Sequence, residues 1–293
     1  MLIKNFLLAL FFYLVIKPLS LLPLPILYGF SSGLFYITYY LFPYRKKVVL
    51  ENLKFAFPDL SQSDRNAVAK KFFRHFIDLL IETIKVFSIS EDEFKQRVKV
   101  ANPDFAKPFE EKNQSIIIMA GHTANWEWLA LQFHQMGDWK GMGIYKQLSN
   151  KYFDKLMVES RGRFGIELCS TKNVSNYFET HHNERIAYGF LADQNPRDKN
   201  NAYWIDFFGV KVPWAMGAEK YARQYNMPVL YGDSIKISRG YYNLEYSLIT
   251  NNPSELAEGE ITKLFVKKLE ESILKDKPSW LWTHKRWKHA ERK

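Results

Sequence analysis

The chain has 293 residues, of which 47% are hydrophobic and 16% aromatic, and its formal net charge is +10 at pH 7. This composition allows a full core in one large domain or in two small ones. The charge indicates an anionic partner, such as an anionic membrane or an acidic carrier protein. We expect no nucleic-acid partner, because no helix-turn-helix, RNA-recognition or zinc-finger pattern is present and the N-terminus is hydrophobic.

The N-terminal region is apolar in two stretches, Phe6 to Ile16 and Leu19 to Phe42. The first could form a helix of only about 16 Å, roughly half of the hydrocarbon core of a bilayer. The second contains prolines, glycines and tyrosines, a mixture typical of a broken helix in the membrane interface. A cleaved signal peptide would fit the length, but no small-x-small cleavage site follows, so we expect the region to be retained. Whether it spans the bilayer or lies in it stays open.

Arg45, Lys46 and Lys47 follow the second apolar stretch directly. Positive charge beside a hydrophobic segment favours the cytoplasmic side of a membrane and attracts anionic lipid. The sequence therefore predicts a membrane-anchoring region over residues 1–44 and a catalytic domain over residues 45–293 on the cytoplasmic face.

The catalytic domain alternates helical and strand patterns. Apolar residues recur at helical spacing between Asp64 and Phe87, including Leu80, and Ser61 or Ser63 can cap the start of this helix. Apolar runs predict buried strands at 115–120, 185–192 and 227–231, and a hairpin at 234–237 and 242–249. Further helices are predicted near 123–133, 150–164, 217–225 and 255–275. The pattern predicts an α/β fold whose mainly parallel, mixed sheet is flanked by helices.

The segment GHTANWEW, Gly121 to Trp128, directly follows the first predicted strand. Ligands of open α/β sheets collect at the carboxyl ends of strands, where His122 is expected. His122 can meet Glu127 if the histidine lies in the strand-to-helix turn and the glutamate lies one turn into the helix. A carboxylate on one imidazole nitrogen prepares the other nitrogen to accept a proton. We therefore expect His122 to be a general base with Glu127 as its partner, although the same pattern also occurs as a structural pair.

In this setting the segment resembles the H-x-x-x-x-D/E motif of glycerolipid acyltransferases. More closely, it resembles the late acyltransferases of lipid A biosynthesis, the lauroyl/myristoyl-transferase family. Four further blocks resemble that family, in the same order: NLKFAFPDLSQSDR at 52–65, YKQLSNKYFDKLMVESRGRFG at 145–165, ADQNP and FFG at 192–196 and 207–209, and WLWTHKRWK at 280–288. Lys146 departs from the family, which usually has arginine there, so bidentate contact with an anion is weakened at this position.

The resemblance implies an enzyme of the bacterial inner membrane that needs no cofactor or metal. It would transfer a fatty acyl chain from acyl-acyl carrier protein to a hydroxyl of a lipid A precursor. Among the residues of these blocks, Arg161 and Arg163 are candidates to bind phosphate and Asp193 to orient the acceptor. Asn125 is a candidate for the acyl entrance, and Lys146 for contact with the substrate. A salt bridge, a solvated basic face or a turn cap would explain the charged residues equally well.

Several alternatives stay open at this stage. The acceptor could be an aminolipid or another glycolipid, and coenzyme A could replace the carrier protein. A lipid esterase or thioesterase would need a G-x-S-x-G serine, and Gly232-Asp233-Ser234 lacks the second glycine. A non-catalytic membrane-binding protein would show no turnover. The basic and aromatic residues of 280–288 suit a lipid headgroup interface or a structural tail. The single cysteine, Cys169, is expected to be a small buried hydrophobe.

Overall fold

The computed structural model describes residues 8–135 and 137–290. Seven strands form the central sheet: β1 (Val98–Val100), β2 (Ile116–Ala120), β3 (Lys140–Tyr145), β4 (Glu167–Ser170), β5 (Ile186–Leu191), β8 (Val229–Ser238) and β9 (Tyr241–Thr250). Their order across the sheet is β1-β9-β8-β2-β5-β3-β4. The strands β6 (Ala202–Phe207) and β7 (Val210–Ala215) form a separate antiparallel hairpin.

Five neighbouring strands, from β8 to β4, are parallel, and β8–β9 is the antiparallel pair of the central sheet. Strand β2 is the fourth of the seven strands, at the centre of the sheet, and all five of its residues are buried, as its isoleucine-rich sequence predicts. The carboxyl ends of the five parallel strands meet at one edge of the sheet. The expected mixed α/β fold is therefore confirmed, and at that edge His122 follows the strand at the centre of the sheet.

Eleven α-helices surround the sheet in the part of the chain that the structure describes. They are α1 (Lys17–Leu21), α2 (Leu24–Tyr36), α3 (Lys46–Ala56), α4 (Gln62–Lys85), α5 (Glu91–Arg97), α6 (Lys107–Glu111), α7 (Trp126–Leu129), α8 (Lys151–Arg161), α9 (Val174–His181), α10 (Gly217–Gln224) and α11 (Glu260–Lys275). The long helix α4 starts as predicted, because the Ser61 hydroxyl accepts a hydrogen bond from the backbone of Asp64.

The apolar N-terminal region forms two helical segments, 8–21 and 24–41, which meet at an angle of 119°. Neither segment alone has the length and apolar character of a membrane span, although the bent pair has both together. One side of α2 packs onto α4 through Leu24, Leu27 and Phe35, which are buried. The opposite side of the same segment exposes large apolar side chains: Ile26, Phe30, Leu34, Ile37 and Leu41.

Helix α4 carries a stripe of buried polar side chains, His75, Asp78, Glu82 and Lys85, at the spacing of one helix face. Each of them is hydrogen-bonded, as buried polar groups require. Nothing in the apolar spacing of this helix predicted the stripe. Leu80, which was placed on the apolar face, is instead 42% exposed.

Candidate active site

The turn that follows β2 holds His122 and is fixed by its backbone. The carbonyl of His122 accepts a hydrogen bond from the backbone N–H of Leu281. Ala124 donates to the carbonyl of Ser279 and has a φ of +43°, a left-handed conformation that is uncommon for a residue other than glycine. The His75 ring donates to the carbonyl of Ala124 at 3.0 Å. These contacts keep the turn in one conformation, so the position of His122 is defined before any substrate arrives.

The carboxylate at the His122 ring is that of Asp193, two residues after the end of β5. The Nδ1 atom of His122 lies 2.5 Å from Asp193 Oδ1, and the His122 backbone N–H donates to Oδ2 at 2.8 Å. The indole of Trp280 donates to the same Oδ2 at 2.8 Å. Burial raises the pKa of Asp193, but these contacts outweigh burial and lower that pKa to about 2. An ionised Asp193 keeps the hydrogen of the imidazole on Nδ1 and leaves Nε2 as the proton acceptor.

Glu127, the expected partner of His122, has another partner. The Arg161 guanidinium donates to both oxygens of the Glu127 carboxylate, at distances between 2.8 and 3.0 Å. The prediction that Glu127 lies on the imidazole is thus corrected to Asp193. The physical reason is the start of α7 at Trp126, which puts Glu127 in the first helical turn and directs its carboxylate toward the end of α8.

Arg163 and Asn125, which were also predicted to contact substrate, use their side chains in contacts within the protein. Arg163 donates to the backbone carbonyls of Val86 and Ile89, so it fixes the segment after α4. Asn125 is buried and uses its Oδ1 to accept from the Trp128 backbone and its Nδ2 to donate to Glu82. Neither side chain lines the cavity next to His122.

Two further residues are found in the environments that the sequence suggested. Lys146 is exposed and lines the cavity next to His122. Cys169 is buried, and burial raises the pKa of its thiol, which keeps the sulfur protonated.

The basic and aromatic segment 280–288 is largely internal, so the headgroup reading is wrong for its buried members. Trp280, Trp282, Trp287 and Arg286 are buried. The Arg286 guanidinium lies over the ring of Trp214, 3.9 Å from its centroid, and donates to the Asn195 side chain at 2.6 Å. Burial lowers the pKa of Arg286 to about 9.

The same C-terminal segment also holds the loop after Asp193. The backbone N–H of Asn195 donates to Nε2 of His284, and burial lowers the pKa of His284 to about 4. The neutral imidazole of His284 is therefore an acceptor. Together with Arg286 and Trp280, it positions the residues that contact His122.

A cavity of about 740 Å³ opens at His122. Most of its lining is apolar, and it includes Trp126, Leu129, Phe153, Met157 and Phe190. Its charged and polar residues include His122, Gln194 and the Glu127–Arg161 pair, and also Lys146, Asp154 and Lys220. A mostly apolar cavity that also carries polar groups is the usual form of a site for a lipophilic small molecule.

The floor of the cavity is a row of residues across four adjacent strands. Ile118 of β2 pairs with Gly189 of β5, which pairs with Gly143 of β3, which pairs with Leu168 of β4. Because residues paired in register point to the same face, the two glycines leave a gap between the isoleucine and leucine side chains. All four residues line the cavity. The gap leads from the strand that precedes His122 toward the far edge of the sheet.

Gln194 is a site residue that the sequence analysis missed. Its side-chain nitrogen lies 3.2 Å from Nε2 of His122, and it can donate a hydrogen bond to that nitrogen. It is exposed, so it can yield its place to a substrate hydroxyl. The only signal in the sequence was its position beside Asp193 at the end of a strand. Within residues 8–135 and 137–290 no cluster of three or more His, Cys, Asp or Glu side chains could hold a metal ion.

Sequence comparisons identify the family of the chain. A sequence model described as bacterial lipid A biosynthesis acyltransferase matches residues 2–289. Two similar proteins are a lipid A biosynthesis acyltransferase of Haemophilus influenzae, 23% identical over 275 residues, and a lipid A biosynthesis lauroyltransferase of Escherichia coli, 22% identical over 273 residues. Each alignment covers 91% of this chain, and they cover 86% and 87% of the two relatives. The chain therefore belongs to the bacterial lipid A biosynthesis acyltransferase family and is an acyltransferase enzyme.

Proposed function

We propose that this enzyme transfers a fatty acyl chain from an acyl thioester, carried by acyl carrier protein, to a hydroxyl of a lipid A precursor. The observation that carries the proposal is the His122–Asp193 pair at the mouth of the apolar cavity. The two relatives, one named a lipid A biosynthesis acyltransferase and one a lauroyltransferase, support the choice of acceptor. The net charge of +10 suits an acidic carrier protein and an anionic lipid.

In the proposed reaction His122 is the general base. The acceptor hydroxyl takes the place of Gln194 at Nε2, donates its proton to that nitrogen and attacks the thioester carbonyl carbon. The imidazolium that forms is stabilised by the ionised carboxylate of Asp193. When the tetrahedral intermediate collapses, the C–S bond breaks and the departing sulfur takes the proton from Nε2. Acid–base catalysis of this kind contributes about 10²–10⁴-fold to a rate.

Glu127 supports the reaction through Arg161 in this proposal, and not by contact with the imidazole. The pair joins the start of α7 to the end of α8 and lines the cavity next to His122. Two partly buried charges that neutralise each other leave the cavity able to accept an acyl chain. Arg161 is therefore not proposed as a free phosphate site, and Lys146 and Lys220 are exposed cavity lysines that are available to an anionic group.

The enzyme would work at the cytoplasmic face of the bacterial inner membrane. Support comes from the apolar outer side of the segment 24–41 and from the cations beside its aromatic residues. The ammonium of Lys70 lies 5.8 Å from the ring centroid of Tyr40, and the guanidinium of Arg45 lies 5.6 Å from that of Tyr44, just after the segment; both rings are exposed. Aromatic rings with neighbouring cations are typical of the boundary between hydrocarbon and anionic headgroups.

The proposal is tested by acyl transfer with purified protein in lipid vesicles. The donor is carrier protein loaded with a labelled acyl chain, and the acceptors are a lipid A precursor, an aminolipid and water. We expect a new ester in the lipid A precursor by mass spectrometry, and loss of that product in a folded His122→Ala protein. Product formed only with the aminolipid would change the acceptor, and release of free fatty acid alone would indicate a thioesterase.

A further inference from the structure

The buried polar stripe of α4 connects the N-terminal helices to the turn that holds His122. Glu82 is fully buried, and its carboxylate accepts three hydrogen bonds. Tyr28 of α2 donates to Oε1 at 2.7 Å, while Asn125 and Tyr242 each donate to Oε2 at 2.7 Å. A single carboxylate is therefore shared by a helix of the apolar N-terminal region, by the β8–β9 hairpin and by the catalytic turn.

Asn125 connects Glu82 to helix α7, which follows the His122 turn. Its other side-chain atom, Oδ1, accepts from the backbone of Trp128 at 3.0 Å and so caps the start of α7. The indole of Trp128 donates to the backbone carbonyl of Glu82, which attaches the same short helix a second time. Helix α7 starts four residues after His122 and carries Glu127. A movement of Asn125 would therefore displace both the turn that holds His122 and the start of α7.

Helix α2 has a second buried contact with α4 that does not reach the turn. The hydroxyl of Ser31 donates to Asp78, whose other described partner is Arg239 at the tip of the β8–β9 hairpin. Tyr28 and Ser31, one turn apart on α2, thus each donate a hydrogen bond to a buried carboxylate of α4, and only the one at Tyr28 continues to Asn125. Substitutions at these two positions can therefore distinguish an effect on the attachment of α2 from an effect on the position of the turn.

We infer that Glu82 is a positioning residue for acyl transfer, which couples the seating of helix α2 to the placement of His122. The inference rests on the proposed role of His122 as the base. Three donors converge on Glu82, so a carboxylate satisfies all of them, whereas an amide presents one of its own donors to a donor. The consequence is that the N-terminal helices support the catalytic turn in addition to any role at a membrane.

The test compares Glu82→Gln with the double variant Glu82→Gln/Asn125→Asp. In the double variant the new amide donates one hydrogen to the new carboxylate, which still caps the Trp128 backbone, and its second hydrogen to the hydroxyl oxygen of Tyr242, which accepts instead of donating. We expect Glu82→Gln to lower kcat by about 10²-fold with a smaller change in KM, since a displacement of roughly 1 Å has that effect. The double variant is expected to recover most of the loss. A single variant with normal kcat, or a double variant no better than the single one, would overturn the inference.

A milder pair of substitutions covers the case in which Glu82→Gln fails to fold. Tyr28→Phe removes one hydroxyl from Glu82, and Ser31→Ala removes one hydroxyl from Asp78 in the same helix. We expect similar melting temperatures for both but a lower kcat only for Tyr28→Phe. Equal activity of the two would contradict the coupling. A fully active His122→Ala would instead refute the proposed function, so the two failures can be told apart.

Discussion

Asp193 lies 71 positions after His122 in the chain, yet its carboxylate holds both the ring and the backbone N–H of that histidine. The two residues follow β2 and β5, which are hydrogen-bonded neighbours in the parallel sheet. Neighbouring parallel strands bring their carboxyl ends together, so the pair is assembled by the sheet and not by a local motif. Its stability depends on the register of β2 with β5.

Asp193→Asn is expected to lower kcat by about 10²–10⁴-fold. Three donors converge on the carboxylate, and an asparagine offers them one acceptor atom while losing the charge that stabilises the imidazolium. Acyl transfer under saturating donor and acceptor measures the effect. The matched control is Asp233→Asn, since Asp233 is a buried carboxylate bonded to Ser272 that does not line the cavity. Similar losses in both variants would show a general effect on folding.

The Glu127–Arg161 pair can be examined by a double-mutant cycle with alanine at each position. Because we propose that Glu127 acts through Arg161, the loss in kcat/KM of the double variant should be close to that of the more damaged single variant. Initial rates of acyl transfer provide the measurement. Losses that multiply would mean that each side chain contacts the substrate independently.

Gly143→Val should shift the preference of the enzyme toward shorter acyl donors. A Cβ at Gly143 would lie 2.9 Å from Leu168 Cδ2 and 3.2 Å from Ile166 Cδ1, closer than normal contact, so a valine displaces these two cavity side chains and narrows the cavity at its floor. Each methylene that loses its place costs about 0.8 kcal/mol, roughly fourfold in kcat/KM. Competition between donors of different length measures the shift, and Gly33→Ala, where an added Cβ meets no atom within 4 Å, is the control.

Membrane attachment predicts that polar substitutions on the outer side of the segment 24–41 release the protein from vesicles. Phe30 is 56% exposed and Leu34 37% exposed, so changing both to Asp leaves the contact with α4 intact. We expect anionic-vesicle binding to fall at least about tenfold, since two large apolar side chains contribute roughly 3 kcal/mol. Leu274→Asp, at a 50% exposed leucine of α11, is the control in the same flotation assay. Unchanged binding of the double variant would contradict this membrane face.

Glu82 also predicts a dependence of stability on pH. Burial raises its pKa from 4.5 to about 7, against the hydrogen bonds from Tyr242 and Tyr28. Between these two values the folded protein binds more protons than the unfolded chain, so stability falls as pH rises from 4.5 to about 7. The contribution is on the order of 3 kcal/mol. Denaturant unfolding should show this slope in the wild type and lose it in Glu82→Gln; parallel pH profiles would argue against it.

Local patterns were enough to predict much of the fold. The β-branched run at 115–120 and the cap at Ser61 predicted β2 and the start of α4, and the hairpin residues proved to be the continuous strands β8 and β9. Strands β3 and β4 were missed because KGMGIY contains two glycines and ELCS is only four residues long. Their presence depends on pairing with β5 and with each other, which no single segment encodes.

The site was predicted at His122 but not at its partner. Sequence spacing favoured Glu127, the nearest carboxylate, whereas the sheet brings the more distant Asp193 to Nδ1. For a similar reason the sequence left open whether Arg286 belongs to a headgroup interface or to a structural tail. Its burial depends on Trp214 and Asn195, which are remote in sequence and could not be assigned to it by pattern.

The contacts of the C-terminal segment give an order to the completion of the site during synthesis. Leu281 and Ser279 hold the backbone of the His122 turn, and Trp280 donates to Asp193. A growing chain folds from its N-terminal side, so the sheet and the cavity can form while these residues are still within the ribosome. Until they emerge, the base lacks its support. A prematurely terminated chain that ends before Ser279 would therefore have the cavity but lack the contacts that hold His122 and Asp193 in place.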